Sequence, residues 1–222
     1  ITRSDWDRAE NGDNRFLPAA TSGTSCSAML SVSPLSIRVE LHTSRIVRLG
    51  VQTSAPVTKE CWDIFFVEEV PRRASTKGNS LQYIFRTGVK VYVAPSGLSR
   101  DGAVEGMTVE DVAVKPAASS TKPTATPVSA VTTTKRQIAI RFHNLGGMHL
   151  LSKGRLEFRR LDNSLALTVP IEEFPTLPGA TRQGSIDVRA GLAAGDYFGL
   201  RLIDFRGPER VSRTRGYPAD CG

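Results

Sequence analysis

An all-β fold of two tandem sandwich domains is what this sequence predicts, on three observations. Short segments rich in Val, Ile, Leu and Phe recur along the whole chain, from AMLSVSP at Ala28 to DYFGLRLIDF at Asp196. Clusters of Ser, Thr, Pro, Asn and Gly bound them at regular spacing, and no stretch sustains a helical period. The length of 222 residues and the 40% hydrophobic content are enough for one large or two ordinary domains with real cores. The simplest architecture is a pair of immunoglobulin-like domains at 1–97 and 98–212, followed by a basic tail at 213–222.

In chain order, ITRSDW reads as the end of a strand, and DRAENGDNRF as a polar loop with a strong turn signal at Asn11-Gly12. AMLSVSP, IRVEL, RIVRLGVQT and CWDIFFVEEV follow as strands, and PRRASTKGNS as a polar loop. Next comes the long alternating stretch LQYIFRTGVKVYVAP, where Leu81, Tyr83 and Phe85 oppose Gln82 and Arg86. Ile84 spoils a clean polar face, and Gly88 marks a bulge or a close backbone approach. The stretch is longer than an ordinary strand, so part of it is expected to await a partner. An ordinary core strand is the simpler reading of the same pattern.

In the second half, PAASSTKPTATPVSAVTTT at 116–134 is low-complexity and has little to bury. MTVEDVAV before it and RQIAIRFHN after it read as the two arms of a hairpin with an overgrown loop. GRLEFRRLD, SLALTVPIEEF, GSIDVRA and DYFGLRLIDF continue the strands, with a turn at PTLPG. Leu192, Gly195 and Tyr197 have the spacing of a tyrosine corner, a structural feature that closes Greek-key sandwiches.

The formal charge of +7 invites a nucleic-acid reading. The charges are mixed in sign, however, except near Arg201, Arg206, Arg210, Arg213 and Arg215, and no motif with stacking aromatics accompanies them. A solvated tail is the expectation there, with no nucleic-acid partner. No apolar run is long enough for a membrane helix, so no membrane insertion is expected, and no basic-then-apolar leader opens the sequence at Ile1, so a mature or trimmed chain is the expectation. Cys26 and Cys61 lie at neighbouring strands, so a bridge in an oxidising compartment and buried free thiols are both open readings, with Cys221 left over.

Chemistry is sparse. The adjacent pairs Glu68-Glu69 and Glu172-Glu173 point to opposite faces of a strand, so neither forms a two-carboxylate site. No nucleophile elbow, zinc spacing or phosphate-cradling loop is present. The expectation is no catalytic residue, no metal, no cofactor and no small-molecule substrate. Lys90 reads either as a surface lysine that keeps an edge from aggregating or as an anchor for a partner's carboxylate.

The order of these segments resembles the PapD-like family, the periplasmic chaperones of the chaperone-usher pathway that assembles pili and fimbriae. Ser31-Val32-Ser33-Pro34 followed by Ile46-Val47-Arg48-Leu49 is similar to one passage of that family, and Trp62 to Pro71 to its next strand. LQYIFRTGVKVYVAP is similar to the last strand of its first domain. HNLGGMHLLSKGRLEFRRLDNS, FPTLPG and LAAGDYFGLRLIDF resemble passages of its second domain. The resemblance spans roughly 28 to 210 apart from 116–134.

This resemblance implies a boomerang of two immunoglobulin-like domains that binds a pilus subunit lacking its own last strand and delivers it to an outer-membrane usher. Leu81, Tyr83 and Phe85 would be the donated side chains, and Lys90 would match one member of a basic pair that grips the subunit's terminal carboxylate. The other member, an arginine on the family's first strand, has no counterpart. Ile1 to Trp6 resembles the third strand, so the first two are expected to be missing, and Arg3 and Arg8 sit beside the wrong strand. Either they lie upstream in a longer protein, or another chain completes the domain. The competing class is a structural or adhesive immunoglobulin-like module of a surface assembly.

Overall fold

A computed structural model describes residues 1–70, 83–114, 133–188, 195–205 and 211–221. Every regular element among them is a β-strand, in four antiparallel sheets. The chain divides into two compact units. One comprises Ile1–Ala9, Asp13–Ser99 and Gly146–His149, and the other Glu10–Gly12, Arg100–Leu145 and Leu150–Gly222.

The first unit carries β1 (Thr2–Arg8), β2 (Asn14–Leu17), β3 (Leu30–Ser33), β4 (Arg48–Val51), β5 (Cys61–Glu68) and β6 (Arg86–Val93). Its larger sheet has the order β2-β1-β5-β6, and β3 pairs with β4 in a sheet of two strands. β1 and β2 form a hairpin whose turn holds Gly12 at φ 96°, the left-handed conformation that Asn-Gly signals. β5 lies between β1 and β6 and is buried at every position from Cys61 to Phe66. Its alternation therefore serves two buried faces.

On one face Cys61 and Phe65 pack with Cys26 and Leu30 to form the core against β3. On the other, the Trp62 indole donates to the Trp6 carbonyl at 2.9 Å, and Phe16 meets Phe66 edge-on at 5.2 Å. Gly88 answers to a close approach rather than a bulge. It pairs with Phe66 in unbroken register, and a Cβ there would lie 2.7 Å from the Ile64 Cδ1.

The segment IRVEL lies outside the strands despite its alternation, and Leu41 and Ile46 are strongly exposed. Among the described residues no strand runs beside it. A period of two creates a face, but only a neighbouring backbone makes it a strand.

The second unit holds β7 (Gly102–Val114), β8 (Thr133–Asn144), β9 (Leu150–Arg159), β10 (Leu165–Thr176), β11 (Thr181–Asp187), β12 (Gly195–Phe205) and β13 (Val211–Cys221). Two sheets, β10-β9-β12-β13 and β11-β8-β7, share a core of Ile138, Ile140, Leu156, Phe158, Ile186 and Tyr197. β7 and β8 pair from Gly102↔Asn144 to Val114↔Thr133, as arms of a hairpin; the low-complexity segment between them lies almost wholly outside the described residues. The buried Asn144 amide donates to the carbonyls of Thr176 and Leu177, at 3.2 and 3.1 Å, and so holds the PTLPG turn. Replacing the fully buried Phe158 with alanine is expected to destabilise this unit by about 3–5 kcal/mol, read as a lower urea midpoint.

Residues Val211–Cys221 form β13, the last strand of its sheet, paired with β12.

Candidate partner-binding edge

The candidate site is the outer edge of the first unit's larger sheet. β6 is its last strand, so one side of its backbone bonds β5 while the other has no strand beside it among the described residues. Such an edge is a template for another chain. Just before β6, Tyr83 and Phe85 are each 72% exposed and Ile84 is 51% exposed. The segment is anchored by the Glu69 N–H, which donates to the Phe85 carbonyl at 3.0 Å. Large apolar side chains are thus held in the open at the end of an edge strand. Leu81 lies outside the described residues.

Further along β6, Lys90 and Tyr92 alternate onto the face that holds Trp6 and Phe66. The Lys90 ammonium sits 3.9 Å from the centre of the Trp6 ring and donates to the Asn14 Oδ1 at 3.0 Å. Both partners are neutral. Burial, and then the charge of Arg8, push Lys90 down to about 8. A cation that is partly desolvated and, among the described residues, paired with neutral groups gains from the arrival of an anion.

Arg8 is the residue that sequence reasoning set aside. Its guanidinium lies 5.5 Å from the centre of the same Trp6 ring. Arg3, on the opposite face of β1, donates inward to the carbonyls of Ser27 and Leu30, at 2.6 and 2.8 Å. Residues five apart on a strand face opposite sides, and that parity separates the two arginines. Nothing in the spacing placed Arg8 beside Lys90, because that depends on the order of the strands. Arg86, also on this face, has its guanidinium 3.7 Å from the centre of the Phe66 ring and pairs with Glu68 at 3.3 Å.

Cys26 and Cys61 are joined in a disulfide, with Cα atoms 5.2 Å apart. Gly195 opens β12 and Tyr197 is buried in the core of the second unit, while Leu192 lies outside the described residues.

Residues 16–99 match the family model described as pili and flagellar-assembly chaperone, PapD N-terminal domain. Over this stretch the resemblance read from the sequence is borne out. The PapD-like match takes in β3 to β6 and ends at Ser99, so it contains the exposed aromatics and Lys90. It begins after β1, so Trp6 and Arg8 precede it. No curated protein and no solved structure matches the chain.

Proposed function

We propose that this protein is a periplasmic chaperone that captures pilus or fimbrial subunits by donating a strand to them and hands them to an outer-membrane usher. The observation that carries the reading is the pair of exposed aromatics, Tyr83 and Phe85, beside an unpaired edge of a domain that matches this family. Leu81, Tyr83 and Phe85 enter the open groove of the subunit. Main-chain hydrogen bonds along the edge supply affinity, and the alternating side chains supply specificity. Lys90 grips the terminal carboxylate of the subunit and fixes the register, with Arg8 as the second cation. The scheme needs neither catalysis nor a cofactor.

The test is capture of a candidate subunit, measured as a one-to-one complex on co-expression. Lys90→Ala is expected to weaken capture by roughly ten- to a hundredfold, the scale of a charge-assisted hydrogen bond. The loss should be much smaller for a subunit whose terminal carboxylate is amidated, and an equal loss for both would remove Lys90 from that role. The pH dependence has a definite sign. Lys90 is cationic below about 8, so affinity should hold below that pH and fall above it, rather than near the ordinary lysine value of 10.5. Lys90→Arg should keep its charge and abolish that decline. Failure of any subunit to co-purify would reject the chaperone reading as a whole.

A further inference from the structure

The interior of the first unit holds two carboxylates that the binding scheme does not use. Asp5 on β1 and Asp63 on β5 are both fully buried. One step beyond the register pair Ser4↔Ile64, they stand side by side on the face that packs against Cys26 and Leu30. Like charges in that position repel, and buried charge requires compensation. The positive group on the same face is Arg3, whose guanidinium is engaged by the Ser27 and Leu30 carbonyls and lies 5.1 Å from the centre of the Phe65 ring. Asp5 faces Leu17 across β2 and Asp63 faces Val91 across β6, both apolar. Residues 20–27, ATSGTSCS, close over the pair and carry no charge.

Counting donors shows what is lacking. Asp5 accepts from the backbone N–H groups of Ala20, Thr21 and Ser22 at 3.1, 2.8 and 2.7 Å. Asp63 accepts only the Cys26 N–H, at 3.1 Å, from the backbone. The Ser25 hydroxyl reaches Asp5 at 2.7 Å and Asp63 at 3.1 Å, and the Ser27 hydroxyl reaches Asp63 at 3.0 Å and Asp5 at 3.4 Å. Each hydroxyl has one hydrogen, so two hydrogens serve four contacts. With the Ser25 hydrogen on the nearer Asp5 oxygen, one further proton on the Asp63 Oδ2 brings a hydrogen to three of the four contacts, all but the 3.1 Å approach of Ser25 to Asp63. Asp63 then donates to Ser27, and Ser27 donates to Asp5.

We propose that Asp5 and Asp63 hold one proton between them, on Asp63, and that losing this proton as pH rises destabilises the first unit through repulsion between the two buried carboxylates. The titration directions agree. Burial pushes Asp63 up, the bonds from Ser27, Cys26 and Ser25 oppose it incompletely, and the Asp5 charge adds to the rise. Burial also pushes Asp5 up, but the bonds from Ser22, Ser25, Ala20 and Thr21 outweigh it and hold the carboxyl below its ordinary value. A raised acid stabilises the fold fully below 3.8 and loses that contribution as pH rises through its folded value. A lowered acid does the reverse, so the loss of stability at higher pH belongs to Asp63.

Carbon-13 NMR of the aspartate carboxyls in the full chain tests the proton directly. Asp63 should titrate above 3.8 and Asp5 below it. Urea unfolding tests the consequence: the midpoint of the first unit should fall as Asp63 ionises. Asp63→Asn supplies a permanent donor to Ser27 and should remove that fall. Asp63 titrating at or below 3.8 would overturn the shared proton. A midpoint that does not fall through the Asp63 titration, or that falls equally in Asp63→Asn, would overturn the destabilisation.

Discussion

Replacing Tyr83 and Phe85 together with serine is expected to abolish subunit capture while leaving the first unit folded. Each side chain is 72% exposed in the free protein, so polar replacement removes little core contact. In a complex each would be buried in the groove of the subunit, and full burial of a large apolar side chain contributes roughly 1.5–3 kcal/mol. The pair then accounts for about 3–6 kcal/mol, or on the order of a hundred- to ten-thousandfold in affinity. Titration of the labelled protein with a subunit measures this, alongside urea unfolding as the control for folding. Undiminished capture by a folded double variant would sink strand donation. Retained affinity after Tyr83→Phe but not after Tyr83→Ser would show that apolar area, rather than the phenol hydroxyl, supplies the binding.

Reducing the Cys26–Cys61 disulfide is expected to cost the first unit roughly 4 kcal/mol, the chain-entropy value for closing a loop of this length. The bridge spans a sequence separation of 35 and encloses β3 and β4, the whole of the smaller sheet. It also lies at the centre of that unit's core, where Cys26 is fully buried and Cys61 nearly so. In the unfolded chain the bridge removes many conformations that the free thiols would allow. Urea unfolding with and without a reductant should separate the two midpoints, with the second unit's core signal unmoved. Coincident midpoints would show that the smaller sheet is held by packing alone.

Much of this fold was legible because its signals are local. Asn11-Gly12 and PTLPG announce turns through backbone conformations that few residues adopt, and Gly12 and Gly179 sit there at φ 96° and 68°. CWDIFF reads as a strand because β-branched and aromatic residues fit a pleated surface, and the flanks of the low-complexity segment read as hairpin arms for the same reason. IRVEL carried the same signal without becoming a strand. The deciding factor was whether a neighbouring backbone stood alongside, which periodicity does not report.

The edge shows the same division. By itself, the sequence determined the alternation through Tyr83 and Phe85 and placed Lys90 further along the same stretch, since period and spacing are properties of one segment. Only the tertiary structure set Lys90 over Trp6 and against Asn14, a residue 76 positions away, with Arg8 close enough to lower its proton affinity. It likewise brought Asp5 beside Asp63 and Cys26 onto Cys61. These partners are joined by strand order and register. Both are chosen by the burial of whole faces, so no single segment encodes them.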